Sequence, residues 1–130
     1  MSTTQKTLGA AGFNACFNIL QKWQCSTAQM HTILGLTTRQ YNRAKRCPIS
    51  VNFNRDQLER MSLILNIHSV LRTIFTNPKN IYGFIKMDNH NPFFSGQSPL
   101  ALIEQGSLIT LYHVYKHIEV LKTNQSKIGP

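Results

Sequence analysis

The sequence predicts an all-α protein: a compact multi-helix chain with a helix-turn-helix near its N-terminus and a second helical part sharing a long central helix. Three observations predict it. Helix-start signals recur, with capping boxes at Ser26–Gln29 and Thr37–Gln40 and proline-opened starts at Asn77-Pro78 and Ser98-Pro99. Apolar residues recur three and four apart, most extensively between Asn54 and Phe75. Glycines stand where helices should stop, at Gly35 and Gly106.

Taken in order, residues 1–8 are polar and are expected to fray. From Gly9 to Trp23, Phe13, Cys16, Phe17 and Leu20 share one face, which predicts the first helix. Ser26 then opens a short helix carrying Met30, Ile33 and Leu34 and ending at Gly35, and Thr37 opens another that runs to about Arg46. Two short helices around a tight glycine turn have the length and punctuation of a helix-turn-helix.

The faces of the second helix matter most. Tyr41 and Ala44 form its inward side, while Arg39, Asn42, Arg43 and Arg46 fall three or four apart on the outward side, with Thr38 and Gln40 near its start. Arginine pairs bidentately with guanine, and asparagine or glutamine with adenine. A helix-turn-helix brings the first turns of its second helix to base edges. Thr38, Arg39, Gln40, Asn42, Arg43 and Arg46 are therefore the candidate DNA-binding residues.

Charge supports the same partner. Lys6, Lys22, Arg39, Arg43, Lys45, Arg46 and Arg55 precede the first acid, Asp56, whereas later Lys and Arg are interleaved with all the acids of a chain whose net charge is +9. A basic stretch free of acids suits a polyanion. A merely solvated basic surface would mix in acids.

Cys47-Pro48 ends the basic helix, because proline forces the preceding residue out of the helical region. The longest helix follows, with Leu58, Met61, Leu65 and Leu71 on one side and Ile64, Ile67 and Ile74 widening the stripe. Such width predicts burial on more than one side. No Pro-, Gly- or Ser-rich linker separates the halves, so they are expected to form one rigid unit. Asn77-Pro78 opens a further helix with Ile81, Phe84 and Ile85, and a last helix from about Ser107 to Lys122 carries Leu108, Leu111, Tyr115, Ile118 and Leu121. The expected organisation is a helix-turn-helix region at 9–53, a helical binding or dimerisation domain at 54–122, and a polar tail at 123–130.

Between these helices Asn91-Pro92-Phe93-Phe94-Ser95-Gly96-Gln97-Ser98-Pro99-Leu100 packs turn formers among large apolar side chains. Asn91, Phe94, Gly96, Pro99 and Leu100 spell Asn-x-x-Phe-x-Gly-x-x-Pro-Leu, which resembles the signature turn of the Xre/MbcA/ParS toxin-binding domain. Leu34-Gly35-Leu36 and Thr38-Arg39 resemble that family's helix-turn-helix stretch, and the resemblance covers roughly residues 20–122. Departures occur at His31, where a small residue is usual, and at Gly83-Phe84, in place of a tryptophan region. The resemblance implies a type II antitoxin that performs no reaction itself. Its N-terminal half would bind operator DNA and repress its own operon. Its C-terminal half would cover the active site of a RES-domain toxin that consumes NAD or transfers ADP-ribose, as a homodimer or a toxin–antitoxin hetero-oligomer. Lys122, Ser126, Lys127, Ile128, Gly129 and Pro130 are the candidate toxin-binding residues of a tail that enters the toxin's cleft. A helix-turn-helix regulator without a toxin, using its C-terminal half to dimerise, is the other reading.

No enzymatic constellation emerges. His113 and His117 stand four apart but lack a third metal ligand, and the acids are too scattered for paired-carboxylate chemistry. No cofactor or metal is expected. The three cysteines, Cys16, Cys25 and Cys47, include no Cys-x-x-Cys pair and read as buried, inert thiols. The N-terminus lacks a signal-peptide pattern and no apolar run is long enough to span a bilayer, so a cytoplasmic protein is expected.

Overall fold

A computed structural model describes the backbone of residues 2–128 and the side chains of residues 2–123. The elements are α1 (Thr3–Lys22), α2 (Thr27–Leu34), α3 (Thr38–Arg46), a 3-10 turn (Pro48–Ser50), α4 (Arg55–Ile74), α5 (Pro78–Phe84), α6 (Pro99–Ile103) and α7 (Leu108–Ile128). No strand forms among the described residues, and the all-α expectation holds. The chain divides into two compact units, Met1–Leu65 and Asn66–Pro130. The division falls inside α4, an unbroken helix whose sequence holds neither Gly nor Pro.

In the first unit α1 starts earlier than the apolar spacing predicts. Ser2-Thr3-Thr4-Gln5 is itself a capping box: Ser2 Oγ accepts from the Gln5 amide at 3.1 Å, and Gln5 Oε1 accepts from the Ser2 amide at 2.9 Å. Polar residues suffice there because the first two turns stay out of the core. Phe13, Cys16, Leu20 and Trp23 bury the rest of α1. Phe13 stacks on Phe53 at 6.0 Å and meets Tyr41 edge-on at 6.4 Å, which ties α1 to α3 and to the stretch after the 3-10 turn. The Cys16 thiol donates to the Met61 carbonyl at 3.3 Å, and burial pushes its pKa up to about 12. That cysteine is inert as expected. The other two depart from the expected burial: Cys25 is half-buried, and Cys47 is exposed at the C-cap of α3, where Pro48 turns the chain away.

The second unit is built around the Asn91–Leu100 turn. Asn91 Oδ1 accepts from the Phe93 amide at 3.2 Å, and its carbonyl accepts from Phe94 and Ser95 at 2.9 and 3.1 Å. The ends of the loop are joined by Gly96 N–H to Asn89 O and Asn89 N–H to Gln97 O, at 2.9 and 3.2 Å. Gly96 lies at φ +84°, where a side chain would be strained. Ser98 then caps the Ala101 amide at 3.1 Å, Pro99 takes the first helical position, and the Leu100 amide donates to the Ile85 carbonyl at 2.8 Å. Phe94 is buried in the core with Ile85, Ile103, Leu111, Val114 and Ile118. Phe93 lies flat on His117 at 3.9 Å, so this histidine is a stacking partner. Among the described residues no group of three or more His, Cys, Asp or Glu is placed to hold a metal ion. No helix among them is long and apolar enough to cross a membrane.

Within α4, His68 stacks on Tyr82 of α5 at 5.9 Å. Burial, aided by the Arg72 charge, holds its pKa below the usual histidine value. The folded unit therefore prefers the neutral ring. Its contribution to stability is complete above the unfolded value of about 6.5 and is lost as pH falls through the lower folded value. Urea midpoints should drop between pH 7.5 and 5.5, and His68→Asn should flatten that slope. An unchanged slope in the variant would remove His68 as the cause.

Candidate nucleic-acid interface

The interface is assembled from two caps and one turn. Ser26 Oγ accepts from the Gln29 amide at 3.1 Å and Gln29 Oε1 from the Ser26 amide at 2.7 Å, which starts α2. Gly35 ends it in the left-handed conformation, φ +67°, and the Leu36 amide returns to the His31 carbonyl at 2.9 Å. Thr37 and Gln40 repeat the reciprocal cap at 3.0 and 3.1 Å and start α3. The turn is clamped from α4. Arg60, with a side chain only 11% exposed, donates to the Thr32 and Ile33 carbonyls at 3.4 and 3.3 Å and pairs with Asp56 at 2.8 Å.

A Cβ on Gly35 would lie 3.1 Å from Arg60 Nε and 3.3 Å from Asp56 Oδ2. Gly35→Ala combines that crowding with a left-handed penalty of about 1–2 kcal/mol. Denaturant unfolding should show at least that loss; a neutral variant would mean the clamp yields freely.

The two faces of α3 separate as the spacing predicts. Tyr41 and Ala44 are buried, and Tyr41 O–H donates to Met30 Sδ at 3.5 Å. His31, at the position that departs from the resembled family, packs against Tyr41 edge-on with ring centroids 4.4 Å apart. The histidine thus fills the α2–α3 contact with an aromatic pair. Lys45 covers the Phe17 and Tyr41 rings at 5.6 Å each. On the other side Thr38, Arg39, Asn42, Arg43 and Arg46 are all exposed.

Gln40 is placed differently from its neighbours. Its Oε1 accepts from the Thr37 amide and from Gln57 Nε2, both at 3.0 Å. Both lone pairs of that oxygen are engaged, so a bidentate adenine contact would dismantle the cap. Gln57 is a residue that sequence reasoning missed. It is buried on α4, donates also to the Gly35 carbonyl at 3.0 Å, and forms a reciprocal cap with Asn54 at 2.8 and 2.9 Å. The Asn54-x-x-Gln57 spacing was the available signal.

Arg43 Nε donates to Ser50 Oγ at 3.2 Å, and that hydroxyl donates to the Cys47 carbonyl at 2.7 Å. Arg39, Gln40, Arg43, Ser50, Val51 and Asn52 line a recess of about 220 Å³. Asn42, Lys45 and Arg46 line an open groove of about 400 Å³.

The candidate toxin-binding residues fall at the end of α7. The polar tail expected from residue 123 is instead helical as far as Ile128. Thr123 to Ile128 contains no Gly or Pro, and the stop signal comes only with Gly129-Pro130. Lys122 is exposed on the helix. Ser126, Lys127 and Ile128 lie on its last turns with side chains outside the described residues, and Gly129 and Pro130 lie outside them altogether.

Two capped helices around a left-handed glycine turn, the second with a buried aromatic side and a basic exposed side, form a helix-turn-helix. Residues 4–66 match the family described as the antitoxin Xre-like helix-turn-helix domain. That match supports an antitoxin or DNA-binding regulator of the Xre type. An uncharacterized protein, y4oB, of Sinorhizobium fredii (strain NBRC 101917 / NGR234) is 29% identical over 110 residues, covering 84% of this chain and 82% of that protein. No solved structure matches the chain.

Proposed function

We propose that the chain is the antitoxin of a type II pair, repressing its own operon through α3 and neutralising a RES-domain toxin through its second unit. The observation that carries the DNA-binding half is the outward face of α3: Thr38, Arg39, Asn42, Arg43 and Arg46 are exposed in a domain with no acid before Asp56. The neutralising half rests on the resemblance of the Asn91–Leu100 turn. Exposed apolar side chains on α7 support it: Ile109 and Tyr112 lie one turn apart, with Val120 further along the same face beyond exposed Lys116, and suit a protein partner with a polar component. In this reading the antitoxin performs no reaction and holds no cofactor. It covers the active site of an NAD-consuming or ADP-ribosylating toxin, within a homodimer or a toxin–antitoxin hetero-oligomer. Operon repression and toxin binding both place it in the cytoplasm, away from any membrane.

The second reading, a regulator without a toxin whose second unit dimerises, draws on the family match ending at residue 66. Co-expression separates them. The product of the adjacent reading frame is expressed alone, with the full chain, and with a version ending at Leu121, while growth and cellular NAD are followed. Growth arrest relieved by the full chain supports the antitoxin. A harmless neighbour, or arrest that the chain does not relieve, leaves only the regulator. Relief by the version ending at Leu121 as complete as by the full chain would place neutralisation in the helical body rather than in Lys122 to Pro130.

A further inference from the structure

We infer that the recess between α3 and the 3-10 turn seats one phosphate oxyanion, so that Arg39 and Arg43 anchor a nucleic-acid backbone rather than read bases. The inference rests on the DNA-binding reading above and divides its outward face in two.

Charge is the first ground. Arg39 and Arg43 stand one helical turn apart, a like-charge spacing that destabilises a helix. Both line the same recess of about 220 Å³. Among the described residues the ion pairs engage Arg55, Arg60 and Lys116, so neither guanidinium has an acidic partner. Two guanidinium groups without acidic partners that line one small recess favour an anion there.

Geometry is the second. Ser50 takes Arg43 Nε at 3.2 Å, and is itself fixed on the Cys47 carbonyl at 2.7 Å. That leaves the terminal guanidinium nitrogens as donors, held by a turn rather than by solvent. Asn52, exposed on the same rim, adds an amide. The Arg39 guanidinium, the terminal nitrogens of Arg43 and the Asn52 amide form a donor set for a tetrahedral oxyanion. The recess lies at the flank of α3, bounded by the loop that follows it. Asn42 and Arg46 line the separate open groove with Lys45, and Thr38 stands one turn before Asn42. Thr38, Asn42 and Arg46 remain the base-reading set.

A phosphate oxyanion reaches this seat from a DNA backbone or as free phosphate, and the test distinguishes the two. Inorganic phosphate is titrated against chloride at constant ionic strength, following the arginine Nε–H signals by NMR. In parallel, wild type, Arg43→Gln and Asn42→Ala are bound to a promoter fragment and to a random duplex across a salt series. The expected result is a saturable phosphate shift that Arg43→Gln abolishes. The same variant should weaken both duplexes equally and reduce the salt slope by about one. Asn42→Ala should lower the promoter-to-random ratio instead. If Arg43→Gln lowers that ratio with an unchanged slope, the arginine reads a base: the inference is overturned while DNA binding stands. A phosphate shift without duplex binding would keep the seat, assign it to free phosphate, and remove the DNA-binding reading. No saturable shift and no change of slope overturns the seat outright. Unfolding midpoints control for folding, and Asn52→Ala replaces Arg43→Gln should the latter prove unstable.

Discussion

Replacing Phe94 by alanine is expected to cost the second unit about 3–5 kcal/mol, the range for deleting a buried phenylalanine. Phe94 is only 2% exposed and meets Phe93 edge-on at 5.0 Å, and Phe93 in turn lies on His117 of α7. The loop that carries both rings is closed by two backbone bonds between Asn89 and Gly96–Gln97. Removing the ring leaves a cavity under a loop that cannot collapse without breaking those bonds. In a small domain this is a large share of the total stability. Far-UV circular dichroism in rising denaturant gives the loss, and a drop below 1 kcal/mol would show that the turn tolerates the void. On the proposed function the variant should fail to relieve toxin arrest yet still retard promoter DNA in a gel. Loss of both activities together would contradict the assignment of neutralisation to the second unit alone.

The second large effect is on DNA affinity. Raising salt from 50 to 200 mM should weaken binding to the promoter fragment roughly a thousandfold, if about six phosphates are neutralised. The basis is the run of Lys and Arg before Asp56, of which Arg39, Arg43 and Arg46 lie exposed on one helix. Each phosphate contact releases condensed counterions, so the effect is large although each contact is weak. A gel-shift series with no complex even at the lowest salt would remove the DNA-binding claim. A complex indifferent to salt would show that the basic surface is not the contact.

Much of this architecture could be read directly from residue order. Capping boxes at Ser26 and Thr37 fixed where α2 and α3 begin, because a reciprocal side-chain cap is a local event that tertiary packing rarely overrides. Tyr41 and Ala44 pointed inward for an equally local reason, the helical period. Two ends were misplaced through reliance on apolar content alone. Polar Ser2–Gln5 starts α1, and polar Thr123–Ile128 continues α7. Long-range pairings were not legible at all. Nothing in the chain announces that Gln57 will join the Thr37 amide on the Gln40 side-chain oxygen, that Ser50 will hold Arg43, or that Phe93 will lie on His117. Those pairings decide which candidate residues face outward with free donors, so the candidate site was legible as a face but not as a division of labour. On α7, Leu111 and Ile118 are buried as the spacing predicts, but Val114 between them is deeper than Tyr115, a choice that a broad apolar stripe leaves open.

The graded exposure of the thiols turns the first unit into its own stopwatch. Cys47 is open to a modifying reagent in the native state, whereas Cys16 is sealed under α4, its thiolate suppressed by a pKa near 12. A reagent that needs the thiolate can reach Cys16 only while the core is momentarily open. With half-buried Cys25 resolved as a separate event, the delay between alkylation of Cys47 and of Cys16 therefore measures the free energy of opening that unit, without denaturant or added label. Operator DNA that binds only the closed form should lengthen the delay at Cys16 by the factor 1 + [DNA]/Kd, provided opening and closing outpace the chemistry. Cys47, beside the basic helix, would report occupancy of the interface in the same experiment.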